Sequence, residues 1–159
     1  LHLVCAMTAA YVISLFQVQI EQLVVLAVLM PVVATMGGAA SVQALTVSVR
    51  GIAMKEVNPS NTIRTIGKEA MVGLLNGLIF ALMISIISWF WFGSVALGVV
   101  IAMAIMINLF VAGLSGSALP ILLQKMGYDP AVASSAFLTS ITDIVGFYVF
   151  LGLGAIVLL

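Results

Sequence analysis

The sequence predicts an all-α integral membrane protein with five transmembrane helices, forming one membrane domain over residues 1–159. Of the 159 residues, 64% are hydrophobic and only 6% are charged, and the mean hydropathy is +1.36. Soluble domains carry about 25% charged residues, so this chain lacks the polar surface that water requires. Long apolar segments alternate with short polar links, which indicates that lipid is the solvent for most of the surface.

The charge balance argues against nucleic-acid binding, and the isolated cysteine and histidine argue against a disulfide or a zinc-type site. Five basic and five acidic residues give a formal net charge of zero, whereas nucleic-acid binding needs a concentrated basic surface. The single cysteine, Cys5, cannot form an internal disulfide and fits a small buried hydrophobe. His2 has no cluster of Cys or acidic residues beside it, so a zinc-type site is not expected.

The first three predicted helices follow the polar interruptions. Helix one covers about 1–16, and because the chain opens inside this apolar stretch we interpret it as a fragment of a longer protein. Helix two covers about 23–53, where Pro31 and Gly37–Gly38 predict a kink. Helix three covers about 66–92 and ends in four consecutive aromatic residues, which is typical of a membrane–water interface.

The last two predicted helices are separated by a clear turn signal. Helix four covers about 95–126, and Gly127 suits its end. Asp129 suits the N-cap of helix five and Pro130 its first turn. Helix five then runs to the end of the chain.

The basic residues predict the orientation. All five border two of the predicted links: Arg50, Lys55, Arg64 and Lys68 surround the link between helices two and three, and Lys125 flanks the link between helices four and five. The positive-inside rule places both links in the cytoplasm. We therefore predict a multi-pass protein of the cell (plasma) membrane whose C-terminus lies outside.

Asp143 is the residue that most strongly indicates chemistry. Counting from Pro130 at about 1.5 Å per residue places it roughly 20 Å along helix five, near the middle of the membrane. A carboxylate at that depth costs about 2.5 kcal/mol or more, and no Lys or Arg is predicted there to pair with it. Two readings follow: a water-filled path that carries a cation, or a protonated structural acid.

Other polar residues suggest how a path would be lined. Ser135 and Thr139 precede Asp143 by two turns and one turn, which makes a polar stripe on one helix face, and Thr142 widens it. The alternative is that these hydroxyls bond their own backbone or hold helices together.

Helices two, three and four contribute a second set of candidates. In helix two these are Gly37, Gly38, Ser41 and Gln43, which would unwind locally beside a path or serve helix packing. In helix four, Asn108 either bonds across helices or faces the path. In helix three, Glu69 either attracts cations at the cytoplasmic mouth or pairs with Lys68 or Arg64.

The available ligands are oxygen atoms, which favour hard cations. Mg²⁺ keeps several of its waters, so a sparse site with one carboxylate per subunit suits a hydrated Mg²⁺, whereas Ca²⁺ wants more direct oxygen ligands. Na⁺ or protons are also compatible with such a site.

Three segments resemble signatures of the MgtE family of magnesium transporters and channels. The first, residues 31–51, is similar to the family's Gly-Gly-Asn-x-x-x-Gln run that ends in Arg followed by Gly or Ala. The other two are, in helix four, Asn108 with Gly113, Gly116 and Pro120, and, towards the end of the chain, Asp129-Pro130-Ala131 followed by Ser135, Thr139, Thr142-Asp143 and Gly146. The resemblance spans nearly the whole chain.

The resemblance implies a homodimer with five helices per subunit and a pore on the dimer axis, lined by helices two and five. It implies that Asp143 and its copy form the Mg²⁺ site of the pore. It also implies cytoplasmic N-terminal and CBS regulatory domains, which sense Mg²⁺ and which this chain lacks. Two departures, Ala39 where the family usually has Asn and Ser135 where some members have a carboxamide, leave room for Mn²⁺, Co²⁺ or Ca²⁺ to permeate.

The predicted function is therefore a Mg²⁺ channel or transporter and not an enzyme, with Asp143, Thr139 and Ser135 contacting the hydrated ion. One alternative is a secondary transporter that couples metal movement to Na⁺ or H⁺. A second is an intramembrane aspartyl hydrolase, which needs two carboxylates sharing a proton. A third is a structural membrane anchor.

Overall fold

The computed structural model describes residues 2–132 and 135–159, and every regular element within them is helical. Four of the helices are long and apolar enough to cross a membrane, which confirms the all-α membrane class. The elements are α1 (His2–Ser14), α2 (Gln17–Gln22), α3 (Val24–Ala53), α4 (Thr62–Phe92), α5 (Val95–Lys125), a 3₁₀ turn (Pro130–Val132) and α6 (Ser135–Leu158). The described α1 is shorter than the roughly 20 residues of a full span, so the spanning helices among the described residues are α3 to α6.

The segment predicted as one helix over residues 1–16 is the single helix α1 in the described part of the chain, and the backbone turns after Ser14. The Ser14 hydroxyl donates to the Tyr11 carbonyl at 2.7 Å, and Phe16 leaves the helical conformation. The predicted link that follows is itself the short helix α2, in which the Gln17 side chain donates to the Glu21 carboxylate at 2.9 Å, an i to i+4 contact that supports a helical turn.

Helix α3 is continuous through Pro31 and through both glycines. Pro31 removes one backbone hydrogen bond without ending the helix. The local unwinding considered for Gly37–Gly38 is wrong, because both residues are helical and buried. The glycines serve close packing instead, since a side chain on either would meet a neighbouring helix.

Helix α4 begins at Thr62, about four residues earlier than predicted, because side chains order the preceding loop. The Asn61 side chain accepts from the Asn58 backbone at 2.8 Å and donates to the Glu56 carbonyl at 2.8 Å. The Thr62 hydroxyl donates to the Asn58 carbonyl at 3.1 Å. Residues that look polar enough for a loop thus form the first turns of a helix.

Glycines with positive φ end two of the helices. Gly93 (φ 67°) ends α4, and Ser94 caps α5 by accepting the Leu97 N–H at 3.2 Å. Gly127 (φ 82°) ends α5, as predicted, and the backbone N–H of Tyr128 returns to the Leu123 carbonyl at 2.9 Å. This is the hydrogen-bond pattern of a Schellman motif, which glycine adopts without steric cost.

The start of the last helix differs from the prediction. Pro130–Val132 is a 3₁₀ turn, and Asp129 caps that turn by accepting the Ala131 N–H at 2.9 Å. Asp143 lies eight residues, about 12 Å, after Ser135. The count of roughly 20 Å started at Pro130, which lies in the 3₁₀ turn, so along α6 itself Asp143 lies in the first half of the helix.

Helix α5 is the centre of the bundle. It packs against α3, α4 and α6, and α1 packs on α6. Glycines bring α4 and α5 close together, because a Cβ at Gly73 would overlap the Leu109 carbonyl oxygen and one at Gly77 would lie 3.0 Å from the Met106 Cα. Small residues allow this approach in membrane helices. The central position of α5 leaves α3 and α6 adjacent to each other on one side of the bundle.

Candidate functional site

Asp143 lies at the junction of two cavities. The first, which we call the α1 cavity, is about 370 Å³ and lies between α6 and α1. The second, which we call the α3 groove, is about 560 Å³, open on one side, and lies between α6 and α3. Asp143 and Thr139 line both, so this part of α6 separates two spaces that share one carboxylate.

The α3 groove depends on small residues of α3. Gly38 faces Thr139, and a Cβ on Gly38 would lie 3.0 Å from the Thr139 Cγ2 atom. Thr35 and Ala39 continue the α3 wall. The groove is mostly apolar, so the carboxylate of Asp143 is its strongest ligand for a cation.

The predicted polar stripe of α6 comes together in the α1 cavity. Ser135, Thr139 and Asp143 all line it, together with Ser140. The Thr139 hydroxyl donates to the Ser135 carbonyl at 2.8 Å and to the Ala136 carbonyl at 3.0 Å. Because its proton is directed to the backbone, the hydroxyl oxygen keeps its lone pairs for a water or an ion.

The sequence reasoning missed that α1 forms the opposite wall of this cavity. His2, Cys5 and Ala9 face the α6 stripe. Their spacing of three and four residues is that of one helix face, and this pattern was the available signal. The contact itself depends on how α1 folds back onto α6, which no local pattern specifies.

Thr142 does not line either Asp143 cavity. It is fully buried, and its hydroxyl donates to the Thr139 carbonyl at 2.9 Å and to the Leu138 carbonyl at 3.3 Å. Thr139, which precedes Thr142 by three residues, does line both cavities. The two alternatives for Thr142 were lining an ion path and packing between helices, and its buried position fits packing.

Three further candidates lie in the packed interior. Asn108 is 0% exposed, and its amide donates to the Val33 carbonyl at 3.0 Å. It fits against Gly37, where a Cβ would overlap the Asn108 amide. Ser41 is also fully buried and donates to the Gly38 carbonyl at 2.8 Å. The Asn108 contacts join α3 to α5, whereas the Ser41 hydrogen bond stays within α3, and neither Asn108 nor Ser41 lines the Asp143 cavities.

Gln43 lies in a different cavity from Asp143. This cavity, of about 120 Å³, lies between α3 and α4 and includes Glu69 and Asn76. The described part of the chain shows no ion pair of Glu69 with Lys68 or Arg64, so that expected pairing is wrong. Asn76 was not a sequence candidate, although it follows Glu69 by seven residues and so lies on the same helix face.

The donor set of one chain suits a hydrated ion rather than a bare one. Within residues 2–132 and 135–159, no group of three or more His, Cys, Asp or Glu side chains is placed to hold a metal ion. In its two cavities Asp143 is accompanied by hydroxyl groups and apolar walls. One carboxylate with hydroxyls can accept hydrogen bonds from the waters of a cation without replacing them.

Comparison with known proteins finds relatives that all carry the same family name. The family model MgtE, described as a divalent cation transporter, matches residues 30–153. The magnesium transporter MgtE of Enterococcus faecalis is 36% identical over 149 residues, which cover 94% of this chain and 33% of that protein.

Two further relatives have the same printed name. The magnesium transporter MgtE of Bacillus subtilis is 34% identical over 142 residues, covering 89% of this chain and 32% of that protein. The one of Thermus thermophilus is 28% identical over 152 residues, covering 96% and 34%. The chain thus spans about a third of the length of the curated relatives it matches.

Proposed function

This chain belongs to the MgtE family of divalent cation transporters, and on that premise we propose that it moves hydrated Mg²⁺ across a membrane with Asp143 as the ion-binding group. With four helices of spanning length among its described residues, it is a multi-pass membrane protein. The family is described as one of divalent cation transporters, which supports transport over the aspartyl hydrolase and the structural anchor. The observation that carries the proposal is the position of Asp143 at the junction of two cavities.

The size of the cavities supports a hydrated ion. Six waters occupy about 180 Å³ at about 30 Å³ each, and the two cavities measure about 370 Å³ and 560 Å³. Mg²⁺ gives up its waters reluctantly and binds through few carboxylates. In this proposal the Asp143 carboxylate and the oxygen atoms of Thr139 and Ser135 accept hydrogen bonds from the ion's waters. Mn²⁺, Co²⁺ and Ca²⁺ are candidate further ions.

A second copy of the chain would complete the site. The α3 groove is open on one side and is lined by residues of α3 and α6. A two-fold axis along this groove would bring two Asp143 carboxylates to one ion and balance its two charges. We therefore propose a homodimer with the pore between α3 and α6 of the two subunits, with the basic links cytoplasmic and the C-terminus outside.

The test is Mg²⁺ uptake into liposomes that contain the purified chain. We expect Asp143→Asn to lower uptake at least tenfold, because the substitution removes the charge at nearly constant volume. Glu56→Gln, in the exposed loop before α4, is the matched control and should keep normal uptake. Equal uptake in Asp143→Asn and the unchanged chain would refute the assignment of the path.

The same liposomes separate a channel from a coupled transporter. Uptake that follows the membrane voltage, with no response to an imposed Na⁺ or proton gradient, is the expected result for a channel. Uptake that requires either gradient would support the coupled alternative, in which Asp143 takes up and releases a proton or binds Na⁺ during transport.

A further inference from the structure

The cavity that contains Gln43 and Glu69 lies on a different face of α3 from the α3 groove. We call it the Glu69 cavity; it measures about 120 Å³. Its walls come from α3 and α4, and its floor is Gly113 of α5. The residues that line it are Ala40, Gln43, Ala44, Val47, Glu69, Val72, Gly73, Asn76 and Gly113. It shares no lining residue with the cavities that contain Asp143.

The cavity exists because α3 and α4 both pack on α5 rather than on each other. Its floor is held by backbone contact, since a Cβ on Gly113 would overlap the Glu69 carbonyl oxygen and lie 3.2 Å from the Ala70 Cα. Gly73 makes a similar contact with the Leu109 carbonyl on the other helix. The backbone that carries Glu69 is therefore fixed before any ligand binds, which is what a preorganised site requires.

Three polar side chains from two helices line this cavity. Glu69 and Asn76 lie two turns apart on one face of α4, and Gln43 comes from α3. In the described part of the chain, none of the three side chains has a hydrogen bond or an ion pair. Lys68, the adjacent base on α4, is exposed and does not line the cavity.

Glu69 lies near one edge of the membrane core. Trp89 begins the aromatic end of α4, and 20 residues towards the N-terminus, about 30 Å, is Glu69. The hydrocarbon core of a bilayer is about 30 Å thick, so Glu69 lies at its edge and Asn76 about 10 Å further in. Glu69 is half-buried, and no protein base in the described structure pairs with its carboxylate, so water or a bound cation is its available partner.

We propose that the Glu69 cavity binds a hard divalent cation at a site separate from Asp143. The ligands are one carboxylate and two amide oxygens, the oxygen donors that Mg²⁺, Mn²⁺ and Ca²⁺ accept. A volume of about 120 Å³ holds an ion with about three waters at about 30 Å³ each. The bound ion links Gln43 of α3 to Glu69 of α4, so it connects two helices that otherwise meet through α5.

The experiment measures Mn²⁺ binding to the purified full chain by electron paramagnetic resonance, in an Asp143→Asn background that removes the carboxylate of the proposed ion path. We expect one bound Mn²⁺ per chain to remain in Asp143→Asn. Adding Glu69→Gln should weaken this binding at least tenfold, while adding the loop control Glu56→Gln should leave it unchanged. Excess Mg²⁺ should displace the Mn²⁺, and equimolar Na⁺ should not.

Several outcomes would overturn the proposal. These are loss of all Mn²⁺ in Asp143→Asn alone, equal binding with and without Glu69→Gln, or displacement by Na⁺. If Glu69→Gln fails to fold by circular dichroism, Gln43→Met provides the second variant, because Gln43 is exposed and its loss removes one ligand. Unchanged Mn²⁺ affinity in that variant also contradicts the site. The experiment measures binding and not transport, so its result can be interpreted even if Asp143 does not line the ion path.

Discussion

At the residue scale, Asn108 shows how a polar side chain in a membrane helix can serve packing alone. It was a candidate for the ion path, yet it is fully buried and its amide joins α5 to the Val33 carbonyl of α3. Gly146 of α6 closes the other side, where a Cβ would lie 2.7 Å from the Asn108 Nδ2 atom. Asn108 is therefore the point at which three helices meet, and its glycine neighbours provide the space.

This arrangement predicts opposite effects for two Gly→Ala substitutions. Gly37→Ala places a methyl group against the Asn108 amide, and such overpacking typically costs about 1–3 kcal/mol. Gly67→Ala meets no atom within 4 Å, so it should be neutral or should stabilise α4 by up to about 1 kcal/mol through helix propensity. Thermal unfolding in detergent checks both.

The two variants are matched because each adds one methyl group inside a helix. A lower melting temperature for Gly37→Ala together with an equal or higher one for Gly67→Ala is the expected pattern. Equal melting temperatures for the two would mean that the contact between Gly37 and Asn108 is looser than the structure indicates.

At the element scale, what could be read from the sequence depended on local signals. Hydropathy located the apolar helices, and Gly127 marked the end of α5 because its turn geometry is local. The early start of α4 was missed, since it depends on Asn61 bonding back to Glu56.

Sites made from several elements were harder to predict. The α6 stripe of Ser135, Thr139 and Asp143 was predictable because residues four apart share a helix face. The opposite walls were not, because the placement of Cys5 opposite Asp143 and of Gln43 in the same cavity as Glu69 depends on how the helices pack. The hydrophobic effect brings apolar helices together without direction, so their pairing cannot be read from composition.

The position of α1 predicts that chemical modification of Cys5 affects transport. Cys5 is the single cysteine of the chain and lines the α1 cavity with Asp143. A thiol reagent that attaches a positively charged group there should lower Mg²⁺ uptake severalfold, because it places a fixed charge and added bulk beside the ion. Uptake into liposomes before and after treatment measures the effect.

Cys5→Ala is the control for this experiment, because it removes the reactive thiol and keeps a small side chain. Its uptake should be normal and unaffected by the reagent. Full labelling of Cys5 with unchanged uptake would show that α1 does not border the ion path.

At the scale of the whole molecule, the α3 groove indicates how two chains would assemble. It is about 560 Å³, open on one side, and contains the Asp143 carboxylate. Lipid is a poor neighbour for a carboxylate, whereas the outer face of α4 carries apolar side chains such as Leu82, which is 60% exposed. The outer face of α4 can therefore contact lipid, whereas the α3 groove suits contact with a second copy of the chain.

Disulfide cross-linking distinguishes these surfaces. In a Cys5→Ala background, Ala39→Cys places a thiol on the exposed α3 wall of the groove, and Leu82→Cys places one on the lipid face of α4. A two-fold axis along the groove brings equivalent residues near the axis together, so mild oxidation in membranes should give a covalent dimer for Ala39→Cys and a monomer for Leu82→Cys on a denaturing gel. The reverse pattern would place the dimer contact on α4, and the two Asp143 carboxylates would then be too far apart to share one ion.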